Sequence, residues 1–74
     1  MKVTPSHIAD IMGVSPQFVR CGLRANKWEW GDAVQMHGRA YTYYIYWHKF
    51  KAWWGKYDER VRKVDAWYEG GERW

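Results

Sequence analysis

The sequence predicts a small α+β fold made of two short helices, a β-hairpin and one or two C-terminal helices. Three observations predict it. A hydroxyl side chain followed by proline occurs twice, at Thr4-Pro5 and Ser15-Pro16, each time ahead of apolar residues at helical spacing. From Trp28 the pattern becomes extended, with alternation on either side of Gly38-Arg39. From Trp47 the helical period returns.

The first helix starts at Thr4-Pro5, where a side chain able to cap free amides precedes a residue suited to the first turn. Ile8, Ala9, Ile11 and Met12 form its apolar stripe, and Gly13 ends it because glycine adopts the left-handed conformation of a helix end at no Cβ cost. After Val14 the same start recurs. The second helix is expected from Pro16 to about Ala25, with Phe18, Val19 and Leu23 inward, Gln17, Arg20, Cys21 and Arg24 outward or at the margin, and Asn26 at its end. Ala9 is small where the two helices cross, Gly13 makes the turn, and Val14 and Val19 hold the pair together. Two short helices around such a turn form the supersecondary unit that can place its second helix in a DNA major groove.

Two strands follow, Asp32–His37 and Ala40–Tyr46, joined by Gly38-Arg39 as a two-residue hairpin loop. Val34 and Met36 share one face of the first strand. Tyr41, Tyr43 and Ile45 share one face of the second, leaving Thr42, Tyr44 and Tyr46 on the other. Trp47, Phe50, Trp53 and Trp54 form the stripe of a third helix that Gly55 stops. A last amphipathic helix is expected from about Tyr57 to Tyr68, with Tyr57, Val61, Val64 and Trp67 or Tyr68 on one face and Gly70-Gly71 at its end. Residues 1–55 thus read as one domain, and residues 56–74 as an appended helix with a short tail.

The chain has 74 residues, room for one modest core, yet it carries seven Trp, six Tyr and two Phe. Some of these rings must lie partly at the surface. Cys21 is the only cysteine, which excludes an intrachain disulfide and a Cys-rich zinc site and fits a reducing cytoplasm. No apolar run approaches the ~20 residues of a membrane span, and the N-terminus lacks a signal-peptide core, so the chain reads as soluble and unprocessed. Net charge is +4, unevenly placed: residues 1–56 hold eight Lys/Arg against three Asp/Glu, and residues 57–74 hold four against five. A basic body is compatible with a polyanionic partner.

The run Ile8-Ala9-Asp10-Ile11-Met12-Gly13-Val14-Ser15-Pro16-Gln17-Phe18-Val19-Arg20 resembles the helix-turn-helix of excisionase-like and MerR-like proteins. With Cys21 to Arg24, Ala33-Val34, Gly38-Arg39, Tyr43-Tyr44-Ile45 and Lys49-Phe50, the chain resembles small winged helix-turn-helix proteins of phages and mobile elements over residues 3–55. It departs from them at Tyr46-Trp47-His48, where such proteins place a Ser or Thr cap before the third helix. The resemblance implies binding to double-stranded DNA, as an excisionase-like factor or a small transcriptional regulator, in the cytoplasm of a prokaryotic or phage-infected host cell. It puts Ser15, Gln17, Arg20 and Arg24 on the recognition helix. Gln17 or Arg20 would read base edges, since Gln pairs bidentately with adenine and Arg with guanine, each for about 1–3 kcal/mol of discrimination. Thr4, Ser15, Arg24 and Lys27 would face phosphates, and Arg39 at the hairpin tip would reach the adjacent minor groove. Read without the resemblance, the same arginines also suit a solvated helix face and a soluble turn.

Other chemistries find little support. His7, His37, His48 and Cys21 show no metal-ligand spacing and no oriented nucleophile–base pair, and no phosphate loop or nucleophile elbow occurs. No cofactor, metal or catalytic residue is expected. The Tyr41–Trp47 aromatic run is a stacking platform for single strands or, more simply, half-buried strand residues. The last helix either completes the core of a monomer by folding back on Trp53 and Trp54, or pairs with a second subunit, a recombinase or a regulatory protein. A different class also fits the basic charge and exposed aromatics: a phage-encoded inhibitor that binds a host or defence protein.

Overall fold

The computed structural model describes residues 2–70, and within them the chain forms four helices and a two-stranded antiparallel hairpin. In chain order these are α1 (Pro5–Met12), α2 (Pro16–Arg24), β1 (Gly31–Gln35), β2 (Tyr41–Ile45), α3 (Trp47–Trp54) and α4 (Glu59–Gly70). The last helix, expected to stop at about Tyr68 ahead of Gly70-Gly71, continues through Gly70, and Gly71 with the tail to Trp74 lies outside the described residues.

Both hydroxyl-proline starts open helices. At α2 the Ser15 side chain accepts from the Phe18 amide at 3.2 Å, and at α1 the Thr4 amide donates to His7 Nδ1 at 2.9 Å. Gly13 (φ 74°) and Gly55 (φ 73°) take the left-handed conformation that ends α1 and α3. As the sequence indicates, α3 starts at Tyr46 with no side-chain cap. Helix α4 starts two residues later than expected. Asp58 accepts from the Val61 amide at 3.0 Å, so Tyr57 lies before the helix, exposed, rather than on its apolar face.

Phe18, expected inward, points out of the fold. The buried side of α2 is Val19, Gly22 and Leu23, and Phe18 lies beyond its edge with 54% of its surface exposed. The hairpin also differs from a plain two-residue loop. Gly38 and Arg39 do form the centre of a turn closed by the Ala40 amide on His37 O, but the Met36 amide donates to Ala40 O and the ladder pairs Gln35 with Tyr41. Gly38 (φ 61°) absorbs the extra residue. As a result Tyr43 faces Ala33 and Ile45 faces Gly31, whereas Val34 and Met36 lie on the exposed face.

The core gathers residues from every helix and from the segment ahead of β1: Ile8 and Ile11 of α1, Val19 and Leu23 of α2, Trp30, Trp47 and Phe50, and Val61 and Val64 of α4. Trp30 meets Phe50 edge-on at 5.0 Å, and Trp47 stacks on Phe50 at 5.8 Å. Burying a ring of this size removes enough apolar area for about 4–6 kcal/mol of transfer free energy. Helix α4 docks on α1: Arg60 Nη1 donates to the carbonyls of Asp10 (3.2 Å) and Ile11 (3.3 Å), which the end of α1 leaves open, and the Trp67 ring lies 4.9 Å from that of His7. Val61 and Val64, for which the sequence allows either the core or a partner surface, are fully buried inside the chain. Among the described residues no helix is long and apolar enough to cross a membrane.

Candidate functional site

The outer side of α2 is built by its helical period. Gln17, Cys21 and Arg24 stand four and three residues apart, so they form one exposed row opposite Val19 and Leu23. Hydrogen bonds link the row. Gln17 Nε2 donates to Cys21 Sγ at 3.4 Å, and Arg24 Nη2 donates to the same sulfur at 3.2 Å. The Arg24 guanidinium also lies over the Tyr41 ring, 5.5 Å from its centroid, and Tyr41 stacks beside Tyr43 at 6.2 Å. The row thus runs from α2 onto β2. The bond to Cys21, followed by the neighbouring tyrosines, holds the Arg24 pKa above its ordinary value, so the guanidinium stays charged throughout the working pH range.

Helix α2 contains no acidic residue, and the ion pairs Lys51–Asp65 and His48–Glu69 lie on α3 and α4. Asp32 accepts from the Tyr46 hydroxyl at 2.5 Å, and Asp58 caps α4. Among the described residues Arg20, Arg24, Lys27 and Arg39 therefore have no carboxylate partner.

The structure brings together some of the expected residues and separates others. Gln17 and Arg24 share the row, and Arg20 sits half-buried at its flank. Ser15 and Thr4 are N-cap residues; Thr4 Oγ1 also lies 3.0 Å from His7 Nδ1. Burial lowers the His7 pKa and Asp10 opposes it, so His7 keeps the neutral ring that can accept from the Thr4 amide. Lys27 is exposed just after α2, where Asn26 takes φ 57° and the Lys27 amide bonds to Gly22 O. Arg39 is exposed at the hairpin tip, and no interaction among the described residues ties it to α2.

Beside the row is an apolar notch of about 280 Å³ lined by Phe18, Cys21, Gly22, Ala25, Lys27 and Trp28. Gly22 makes it possible. A Cβ at that position would sit 2.2 Å from the Trp28 ring, so Trp28 lies directly on the helix only because residue 22 has no side chain. Phe18 meets Trp28 at 6.0 Å, and Trp28 stacks on Trp30 at 4.8 Å. Sequence reasoning missed this feature. The available signal was a glycine in mid-helix, six residues before a tryptophan.

A second, open crevice of about 560 Å³ between α1 and α4 is lined by Asp10, Asp58, Glu59, Arg60 and Lys63, with Arg60 already engaged by the α1 carbonyls. The hydrogen-bond partners of Cys21 are Gln17 and Arg24, neither of which can take a thiol proton. Among the described residues no group of His, Cys, Asp and Glu is arranged to hold a metal ion.

No protein-family model, curated protein or solved structure matches the chain.

Proposed function

We propose that the chain is a winged helix-turn-helix protein that binds double-stranded DNA, with α2 in the major groove and the β1–β2 hairpin as a wing along the adjacent backbone and minor groove. In this role it acts as an excisionase-like factor or a small transcriptional regulator of a phage or mobile element. The carrying observation is the exposed row Gln17–Cys21–Arg24, which projects amide and guanidinium donors from a helix without acidic residues and continues onto β2 through Tyr41. Gln and Arg supply the donor patterns that adenine and guanine edges accept. Arg20 at the flank, Lys27 after the helix and Arg39 at the tip supply cations for phosphates on either side.

Arg24→Ala and Gln17→Ala test the proposal, because both side chains are exposed and their loss leaves the core intact. Each weakens binding to the preferred duplex at least tenfold while the melting temperature stays within about 2 °C. Unchanged affinity in both variants rejects the role of this row. A second reading, an inhibitor that binds a host or defence protein, draws on the exposed aromatics Phe18, Tyr44, Tyr46, Trp53 and Tyr57. Capture of the same lysate protein with and without nuclease supports that reading over the first.

A further inference from the structure

The notch beside Phe18 has a composition that the DNA reading does not by itself call for. Phe18 occupies the first turn of α2, next to Gln17, and leaves 54% of its surface in water although a core lies within one turn of it. Residues at the N-terminal end of a helix that enters the major groove are the ones that reach base edges. The apolar group presented in that groove is the C5-methyl of a pyrimidine. Resting on the reading of α2 as the groove-entering helix, we infer that the Phe18–Trp28 notch is a binding site for pyrimidine C5-methyl groups of duplex DNA.

Three features support this occupant. The lining is apolar apart from Cys21 and the Lys27 rim, so it suits a methyl group flanked by phosphate. No carboxylate lines it, which matches a polyanion and disfavours a basic peptide. Its wall is also preorganised: Trp28 is held against Gly22 and stacked on the fully buried Trp30, which in turn meets Phe50. A rigid wall gives up little freedom on binding. Gln17, one residue before Phe18, can then read an adenine while Phe18 contacts a neighbouring methyl.

Thymine and 5-methylcytosine carry the same methyl, and deoxyuridine is thymine without it. The test titrates the intact chain with an A·T-rich duplex, the same duplex with every thymine replaced by deoxyuridine, and a G·C-rich duplex with and without 5-methylcytosine. The wild type binds the thymine duplex about fourfold or more tighter than the deoxyuridine duplex, as removal of a buried methyl requires. In Phe18→Ala the ratio falls to one, while salt-dependent binding and the melting temperature persist. A matching gain on 5-methylcytosine assigns recognition to the methyl on either base; a gain with thymine alone assigns it to thymine. Equal binding of the thymine and deoxyuridine duplexes by the wild type, or an unchanged ratio in Phe18→Ala, overturns the inference and leaves the DNA reading standing. Failure to bind any duplex overturns the DNA reading itself. A DNA-free dimer that Phe18→Ala dissociates, seen by sedimentation, assigns the notch to a second copy and also overturns the inference.

Discussion

Replacing Asp65 with Asn tests how α4 is held to the rest of the fold. The Asp65 carboxylate accepts from Trp47 Nε1 at 2.9 Å, Lys51 Nζ at 2.8 Å and the Tyr57 hydroxyl at 2.9 Å, joining α3, the α3–α4 connection and α4 at one group. Burial pushes its pKa up, but the bonds from Lys51, Trp47 and Tyr57 and the Lys51 charge outweigh that and hold it at about 2, against an ordinary 3.8. A drop of that size corresponds to roughly 2.4 kcal/mol at ~1.4 kcal/mol per pH decade. Water reaches part of the pair, with 25% of the Lys51 side chain and 17% of the Asp65 side chain exposed, so the expected contribution is ~1–2 kcal/mol. The folded-state pKa is depressed, so the unfolded chain takes up the proton first. The stabilisation is fully present above about pH 4 and disappears as pH falls towards 2. Urea denaturation followed by Trp fluorescence should show Asp65→Asn less stable than wild type by ~1–2 kcal/mol at pH 7, with the gap closing between pH 4 and 2. A gap that is absent at pH 7, or that stays constant to pH 2, refutes the reasoning.

Gly22→Ala tests the Trp28 contact: helix propensity alone predicts a gain of about 1 kcal/mol, but the Cβ meets the indole at 2.2 Å and overpacking costs about 1–3 kcal/mol. The variant should melt lower than wild type with altered Trp fluorescence, and a higher melting temperature contradicts the packing described for Trp28. His7 should make stability fall with acid. Burial lowers its pKa below 6.5, so the unfolded chain binds the proton first and the fold weakens as pH drops from 7 to 5. His7→Gln, which keeps a cap acceptor without titrating, should flatten the melting-temperature profile over that range, and an unchanged profile rules His7 out as its source.

Features set by a few consecutive residues were legible in the sequence. Thr4-Pro5, Ser15-Pro16, Gly13 and Gly55 act through local backbone chemistry, and the structure places them at helix ends. The row of Gln17, Cys21 and Arg24 follows from a period of 3.6 and needs no tertiary information. Phe18 went wrong for a tertiary reason. Trp28, from an irregular segment, lies on α2 at Gly22, and no periodic signal places that ring there or marks Trp30 as a core residue. The contact between Arg24 and Tyr41 was hidden because it crosses from a helix to a strand, and the strand pairing itself depends on one extra residue at Gly38. Asp65 was equally hidden, since its three donors lie 18, 14 and 8 residues away.

The central claim is that the acid-free face of α2 and the hairpin tip bind duplex DNA through cations that have no carboxylate partner in the described residues. The most direct test is a fluorescence-anisotropy titration of the intact chain with a labelled duplex at a series of salt concentrations. Each phosphate neutralised contributes about −0.9 to the slope of log affinity against log salt. If Arg20, Lys27 and Arg39 each engage a phosphate, the slope is about −2.7, and Lys27→Ala makes it shallower by about 0.9. No binding at low salt, or an affinity that does not change with salt, contradicts the account.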